Sequence, residues 1–474
     1  MFSLKKHGGV ILKRSAFGHL FQRENVLCLY HSLKILPVYF DVAFEPYIRA
    51  LEGRSADAVL QRVPDSLRPP VTKLTEILCR AHIFVPDTYD EEVYLEQVRQ
   101  FVFQGPSIRV LVLHLTDFCN LRCKYCFIEG GKVGSYTNRH MSSDIAIAAL
   151  DKFAATIRSN HLPKPPSVVF YGGEPILNLP VLCFALKHIE ELQNERCLPE
   201  RVDKILITNG TRITREIAEI LKRHNVSVSV SLDGPQFLHD QNRIYHSSRG
   251  SFQDSLRGYN ILREIGLRPT VSCVLSESSL DYVSQIMHWL LEDLGVHALG
   301  FNHVSIVPNV NQYDHVYETR LAEALIQSYE IVLKYPDVYE RRMSRKLNSF
   351  LERNVVKADC TGCGEQITVS PDGRIGICQG YMGNRNTFIG DVFDDNFDPV
   401  SHPIWVEWSH RSPLNMPQCR NCPALAICGG GCPRNAEFIS GSIWEPDIAF
   451  CHFAKCSLEW MIWKVHDTIQ NPGT

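Results

Sequence analysis

The sequence predicts an α/β fold built on a parallel sheet, with a small α+β unit before it and a cysteine-rich region after it. Three observations carry this. Between residues 106 and 335, six apolar strand candidates alternate with helical stretches. Residues 1–105 hold two short strand candidates followed by helical ones. Residues 336–474 are rich in cysteine, Gly, Pro and Asn and contain few long periodic segments.

The strand candidates of the middle segment are 109–115, 167–171, 204–208, 227–232, 270–275 and 299–306. Helical periodicity fills 143–157, 215–224, 253–265 and 280–294, with Asp144, Thr214 and Ser278 near three helix starts as caps. Six strands alternating with helices imply parallel pairing and right-handed crossovers. Functional groups in such folds gather at the carboxyl ends of the strands. In the first unit the strands are expected at 26–30 and 36–40, and helices at 44–51 and 71–81, followed by an apolar 83–85. The last segment lacks the apolar periodicity for a core of its own and is expected to need a metal staple.

The chain has 474 residues, room for about two or three domains, and 45% of it is apolar. With 49 basic and 52 acidic side chains its formal charge is -3, which gives no reason to expect nucleic acid or a membrane as partner. No apolar run reaches the ~18 residues that span a bilayer. The first 23 residues carry Lys5, Lys6, Lys13, Arg14 and Arg23 and no acid. Residues 8–12 are too short for the apolar core of a signal peptide, ~7–15 residues. A basic, partly disordered arm is expected there, with docking of an acidic partner as the rival, and a cytoplasmic location for the chain.

Of 17 cysteines, three fall in 119–126 and eight in 360–451. Such density without a signal peptide points to metal rather than to a disulfide framework. Cys28, Cys79, Cys183, Cys197, Cys273 and Cys456 are expected to be mostly buried small hydrophobes or inert thiols. Cys119, Cys123 and Cys126 follow the first strand as Cys-x3-Cys-x2-Cys in HLTDFCNLRCKYCF. Three thiolates on one short loop can hold three corners of a [4Fe–4S] cube and leave the fourth iron open. A structural zinc site is the rival. Zinc prefers four ligands, whereas the loop offers three and His114 lies within the strand.

The stretch CNLRCKYCF resembles the signature of the radical S-adenosylmethionine superfamily, and further motifs match in order. They are YGGEP at 171–175, TNG at 208–210, SLDGP at 231–235 and Arg243 beyond it. The resemblance implies a partial (β/α)6 TIM-like barrel whose open cluster binds S-adenosylmethionine through its amino and carboxylate groups. Reduction then breaks the sulfonium bond and yields a 5′-deoxyadenosyl radical that abstracts hydrogen. It implies cofactor contacts at Tyr125 near the adenine, at Gly172, Gly173 and Glu174 through main chain near the methionine amine, at Asn209, and at Ser231 and Arg243 near ribose or carboxylate. Glycines in such a motif let main chain approach a ligand closely.

The C-terminal cysteines read Cys360-x2-Cys363-x14-Cys378, then Cys419-x2-Cys422-x5-Cys428-x3-Cys432, then Cys451. With PDGRIGIC this resembles the SPASM extension of radical enzymes. The resemblance implies two auxiliary [4Fe–4S] clusters. Cys360, Cys363, Cys378 and Cys432 hold an inner one, and Cys419, Cys422, Cys428 and Cys451 an outer one. Zinc-ribbon chemistry is the rival, since paired Cys-x2-Cys units also bind zinc.

SPASM proteins include anaerobic sulfatase maturases, which make formylglycine, and maturases that form thioether or carbon–carbon cross-links in ribosomal peptides. Sulfatase maturases place an aspartate directly after the cysteine that ends the PDG stretch. Here Gln379 stands there and cannot act as a carboxylate base. Residues 1–105, absent from such maturases, resemble in layout a leader-peptide recognition element that accepts a leader as an added strand. A cap packed on the barrel is the other reading. The resemblance thus favours oxidative cross-linking of a precursor peptide, with a reductant protein such as flavodoxin or ferredoxin as second partner. Formylglycine formation is the alternative, and a non-catalytic iron–sulfur scaffold the rival of another class. No general base is assigned, since Glu365, Tyr381 and Asp391 near the inner-cluster motif are expected to be structural.

Overall fold

The computed structural model describes residues 9–104, 108–130, 139–158, 164–305 and 314–471. Among the described residues the first unit contains six short strands: β1 (Ile11–Arg14), β2 (Gly18–Arg23), β3 (Val26–His31), β4 (Leu36–Asp41), β5 (Arg54–Ser55) and β6 (Phe84–Pro86). Strands β2, β3 and β4 form an antiparallel meander, and β1 pairs antiparallel with both β5 and β6. The expected basic arm is therefore corrected from residue 11 onward. Leu12 is buried, and Arg23 is paired with Asp467 of the last helix. Basic residues on the outer face of short strands hid their periodicity. Lys5 and Lys6 lie outside the described residues.

The central sheet holds β7 (Val110–Thr116), β8 (Ser167–Gly172), β9 (Asp203–Thr208), β10 (Val226–Ser231), β11 (Thr270–Leu275) and β12 (Ala298–His303) in sequence order, all parallel. Each lies within a residue or two of its expected place, except that β12 ends at His303 and Ile306 is outside the described residues. β13 (Tyr339–Glu340) extends one edge, parallel to β12. At the other edge β14 (Gln366–Val369) joins β7 in parallel, followed by antiparallel β15 (Arg374–Gly376) and β16 (Phe388–Asp391). Among the described residues the sheet thus has ten strands, and it continues past residue 335.

Strand β7 is buried along its whole length, whereas β9 to β12 alternate. In β10, VSVSVS, the valines are buried and the serines are not. The buried set packs beneath helices such as Leu179–Asn194, Arg215–Arg223 and Phe252–Glu264. The partly exposed set lines the inside of the curved sheet, so the lumen is not filled with bulky side chains as in a closed barrel.

Thr214 caps its helix through Ile217 N at 3.3 Å, as expected. Asp144 lies inside helix Ser143–Arg158 rather than before it, and Ser278 inside a 3-10 turn, Glu277–Tyr282. The single helix expected at 280–294 is that turn, an α segment Val283–His288 and a π segment Trp289–Asp293, whose wide turn sets Trp289 against Phe252. The first unit is tied to the rest: Tyr30 stacks on Phe350, and Tyr39 donates to the Ile462 carbonyl at 2.6 Å. That carbonyl belongs to helix Ile448–Gln470, which lies along helix His315–Val332.

Candidate active site

The cysteine loop leaves the carboxyl end of β7 and is pinned on both sides. Arg122 N donates to the Ile244 carbonyl at 2.7 Å and Lys124 N to that of Asn242 at 3.0 Å. On the other side, Gly173 N donates to the Thr116 carbonyl at 2.8 Å and Glu174 N to that of Phe118 at 2.9 Å. The glycines of YGGEP have a reason the sequence did not show. A Cβ on Gly173 would meet the Phe118 carbonyl oxygen at 2.2 Å, and one on Gly172 (φ +139°) the Thr116 oxygen at 2.4 Å. Their smallness lets the cysteine loop itself lie against β8.

Glu174 is 1% exposed, and its carboxylate accepts from Thr208 Oγ1 (2.7 Å), Asn209 N (2.8 Å) and Ile176 N (3.2 Å). Burial pushes its pKa up to about 7, against the pull of the Asn209 and Thr208 bonds. Its side chain therefore joins the ends of β8 and β9. Asn209 Nδ2 reaches Asn120 Oδ1 at 3.0 Å and the Cys119 sulfur at 3.9 Å.

Asp233, quoted within SLDGP but given no role, is the residue that sequence reasoning missed. It is buried, and it accepts from Arg243 Nε at 3.0 Å, from Val274 N at 3.0 Å and from the Tyr125 hydroxyl. Burial opposes the Arg243 charge, but Asp233, Tyr125 and Cys123 around it hold its pKa well above the ordinary value. The signal was legible: an aspartate ten residues before an arginine, both beyond a strand end.

A cavity of about 900 Å3 occupies the lumen above and within the sheet. Cys119, Cys123, Cys126, Tyr125, Gly172, Gly173, Asn209, Ser231 and Arg243 all line it; Glu174 does not. The far wall carries residues not singled out beforehand, among them His303, Arg341, Arg342, Arg345 and Asp359, together with Gln379. A second recess of about 1030 Å3 lies by the strands' amino ends, around Pro166 and Arg201, away from every cysteine of the two dense groups.

The C-terminal cysteines fall into two spatial groups. Cys360 and Cys363 share a hydrogen bond that leaves Cys363 the more acidic. Burial pushes Cys378 up to about 12 with Cys360 adding to it, and pushes Cys432 up beside Cys360 and Cys378. In the other group burial raises Cys419 to about 11 with Cys422 adding, Cys451 to about 11 beside Cys419 and Cys422, and Cys428 to about 12. The Cys119 and Cys123 thiols are likewise pushed up by burial first, each with a further contribution from Cys126. Half-buried to buried, mutually repelling thiols without a disulfide suit a metal centre, which takes the place of their protons. Among the described residues no three His, Cys, Asp or Glu groups stand close enough for one metal ion. A four-iron cube spreads its thiolates wider than one zinc, whose sulfurs lie about 2.3 Å from the metal. As expected, Glu365 is paired with Arg109 and Tyr381 with Glu437. Asp391 accepts from Phe393 N.

The radical SAM superfamily model matches residues 113–290. A radical SAM cyclopropyl synthase, TigE, from Paramaledivibacter caminithermalis is 26% identical over 379 residues, 76% of this chain and 75% of TigE. A serine-type anaerobic sulfatase-maturating enzyme from Bacteroides thetaiotaomicron is 24% identical over 72% of this chain and 86% of its own. The fold matches Streptococcus suis SuiB, solved bound to precursor peptide SuiA, with TM-score 0.53 and 15% identity over 93% of this chain and 99% of SuiB. No helix among the described residues is long and apolar enough to cross a membrane. Residues 113–290 thus form a radical SAM domain, and members of that superfamily bind S-adenosylmethionine and a [4Fe–4S] cluster.

Proposed function

We propose that the chain is a cytoplasmic peptide maturase that forms a thioether or carbon–carbon cross-link in a ribosomally made precursor. Cys119, Cys123 and Cys126 hold the open cluster, and Tyr125, Gly172, Gly173, Asn209, Ser231, Arg243 and the Glu174 main chain hold S-adenosylmethionine. Cys360, Cys363, Cys378 and Cys432 hold one auxiliary cluster of a SPASM region spanning 336–474. Cys419, Cys422, Cys428 and Cys451 hold the other. When bound, the open cluster and S-adenosylmethionine supply reductive cleavage and hydrogen abstraction, with electrons from a protein such as flavodoxin or ferredoxin.

The chain's own residues do the placing. Asp233 fixes Arg243 and Tyr125 at the cofactor wall. Glu174 ties the ends of β8 and β9 beneath the cysteine loop. Residues 106–335 form the radical core, and residues 1–105 bind the leader. Strand β2 is an edge of its sheet, which suits strand addition. The structural match that reaches into this unit is to a protein solved with a precursor peptide.

The observation that carries the choice of cross-linking is Gln379. It stands in the cavity wall directly after Cys378, and its Oε1 accepts from Gln366 Nε2 at 3.0 Å. An amide at that place supplies no carboxylate base for formylglycine. Mass spectrometry of a precursor after reaction decides. A cross-link removes two hydrogens, about 2 Da; formylglycine lowers the mass by about 18 Da from cysteine and by about 2 Da from serine, and in the serine case only the aldehyde then adds a hydrazide label. Conversion of a sulfatase peptide with the larger loss would overturn the cross-linking reading.

A further inference from the structure

The cavity wall on the β12 side is cationic. Helix Arg341–Leu351 begins directly after β13 and turns Arg341, Arg342 and Arg345 toward the cavity, at spacings that share one helix face. Their partners are unequal. Arg345 is paired with Asp359. Arg342 donates Nε to the Phe301 carbonyl at 3.0 Å and makes no ion pair among the described residues. Arg341 is exposed to the cavity and makes neither hydrogen bond nor ion pair among the described residues. Its stem lies over Gly300 on the lumen face of β12.

The nearby carboxylates are committed elsewhere. Glu340 accepts the Arg342 and Met343 N–H groups at the helix start. Glu318 is buried in helix His315–Val332. The stretch 306–313 after β12 contains no acid. Arg345, one helical turn on, repels the Arg341 guanidinium, a situation that a bound anion relieves. A guanidinium fork meets a carboxylate through two parallel hydrogen bonds.

The position separates this face from the proposed cofactor contacts. Those sit at the ends of β7 to β10, whereas β12 lies two strands beyond β10, about 10 Å across the sheet. We infer that Arg341 and Arg342 bind a carboxylate of the peptide substrate, from an Asp or Glu side chain or the chain's C-terminus, beside the residue to be modified. The inference rests on the peptide-maturase reading. With a net charge of -3, diffuse attraction would favour basic peptides, so a preference for acidic ones has to come from this local face.

The test uses the full-length, anaerobically reconstituted enzyme and three pools of short random peptides. One contains Asp and Glu with both ends blocked; a second has Asn and Gln in their place; a third is the amide pool with a free C-terminus. Peptides retained after equilibrium dialysis are counted by mass spectrometry. The acidic pool is expected to be retained about tenfold over the blocked amide pool. R341Q loses that preference, and R341K, which keeps the charge without the fork, keeps part of it. R341Q breaks no hydrogen bond among the described residues; iron content and circular dichroism confirm that the fold is intact, and R342Q is the second variant. Equal retention of the free-end pool and the acidic pool supports the inference with the chain end as the carboxylate. Equal retention of all three pools overturns it while leaving the peptide reading standing. Retention of no pool overturns both. A preference that survives in R341Q and R342Q overturns it, as does a loss of S-adenosylmethionine affinity in R341Q in step with the peptides.

Discussion

Asp233 and Arg243 form an ion pair of 3.0 Å with both side chains buried, and the Tyr125 ring lies 5.4 Å from the guanidinium. One carboxylate thereby ties the end of β10, the cysteine loop and, through Val274 N, strand β11. Removing one partner of a buried pair strands the other charge, at about 3 kcal/mol or more. Asp233→Asn should lower stability by roughly that amount in urea unfolding and abolish formation of 5′-deoxyadenosine. Full activity in this variant would remove Arg243 from the cofactor wall.

Gly173→Ala tests why glycine stands in YGGEP. Its methyl would press on the Phe118 carbonyl and the Cys119 nitrogen, at 2.2 and 2.9 Å. The cysteine loop has to move, so the variant should lose about four of about twelve irons per chain. Unchanged iron, with weaker S-adenosylmethionine binding alone, would instead favour a direct role of this main chain at the ligand.

The three cysteine groups should empty separately. Replacing Cys119, Cys123 and Cys126 by Ala should remove about four irons and all 5′-deoxyadenosine. Cys378→Ala should remove a different set of about four and, because cluster binding is coupled to folding, soften the C-terminal region. Iron and sulfide assays with limited proteolysis read both. Zinc in place of iron would overturn all three assignments.

Glu318 gives the chain a stability that depends on pH. Burial first, then Asp447 and Asp314, raise its pKa to about 7 from 4.5. The folded chain then binds a proton that the unfolded chain has released between those values. Its contribution is therefore full below 4.5 and lost as pH rises through 7. Glu318→Gln should remove this fall and be more stable than the parent at pH 8, by on the order of 2 kcal/mol. Parallel stability curves for the two chains from pH 5 to pH 8 would show that the group does not titrate as placed.

Strand β2 offers a point test of leader binding. Its partners in β3 run from Gly18 opposite His31 to Arg23 opposite Val26, where the hairpin closes. Opposed pairs alternate between bonded and non-bonded, so Leu20 and Gln22 turn their N–H groups outward from β3. Gln22→Pro removes one outward donor without breaking the β2–β3 ladder. It should weaken precursor binding, read by fluorescence anisotropy, and leave uncoupled cleavage of S-adenosylmethionine intact. Unaltered binding would favour a cap, for which the packing of Tyr30 on Phe350 already provides the contact.

How much was legible follows from the range of each interaction. Strands β7 to β12 were readable because each is a local apolar run between turns. The cysteine loop was readable because its three donors lie within eight residues, and Thr214 because a cap bonds three residues ahead. β13 and β14 were not. Two to four residues carry no period, and only pairing with β12 and β7 makes them strands. The partnership of Asp233 with Arg243, the clash that keeps Gly173 a glycine, and the three arginines facing the lumen also escaped a local reading. Each depends on what another segment places opposite it. By itself the sequence determined the alternating scaffold, the cysteine spacings and the radical SAM motifs, all properties of short windows. Only the tertiary structure decided which side of each strand faces the cavity and which charges are left for a substrate, because burial and pairing are set by neighbours distant in the chain.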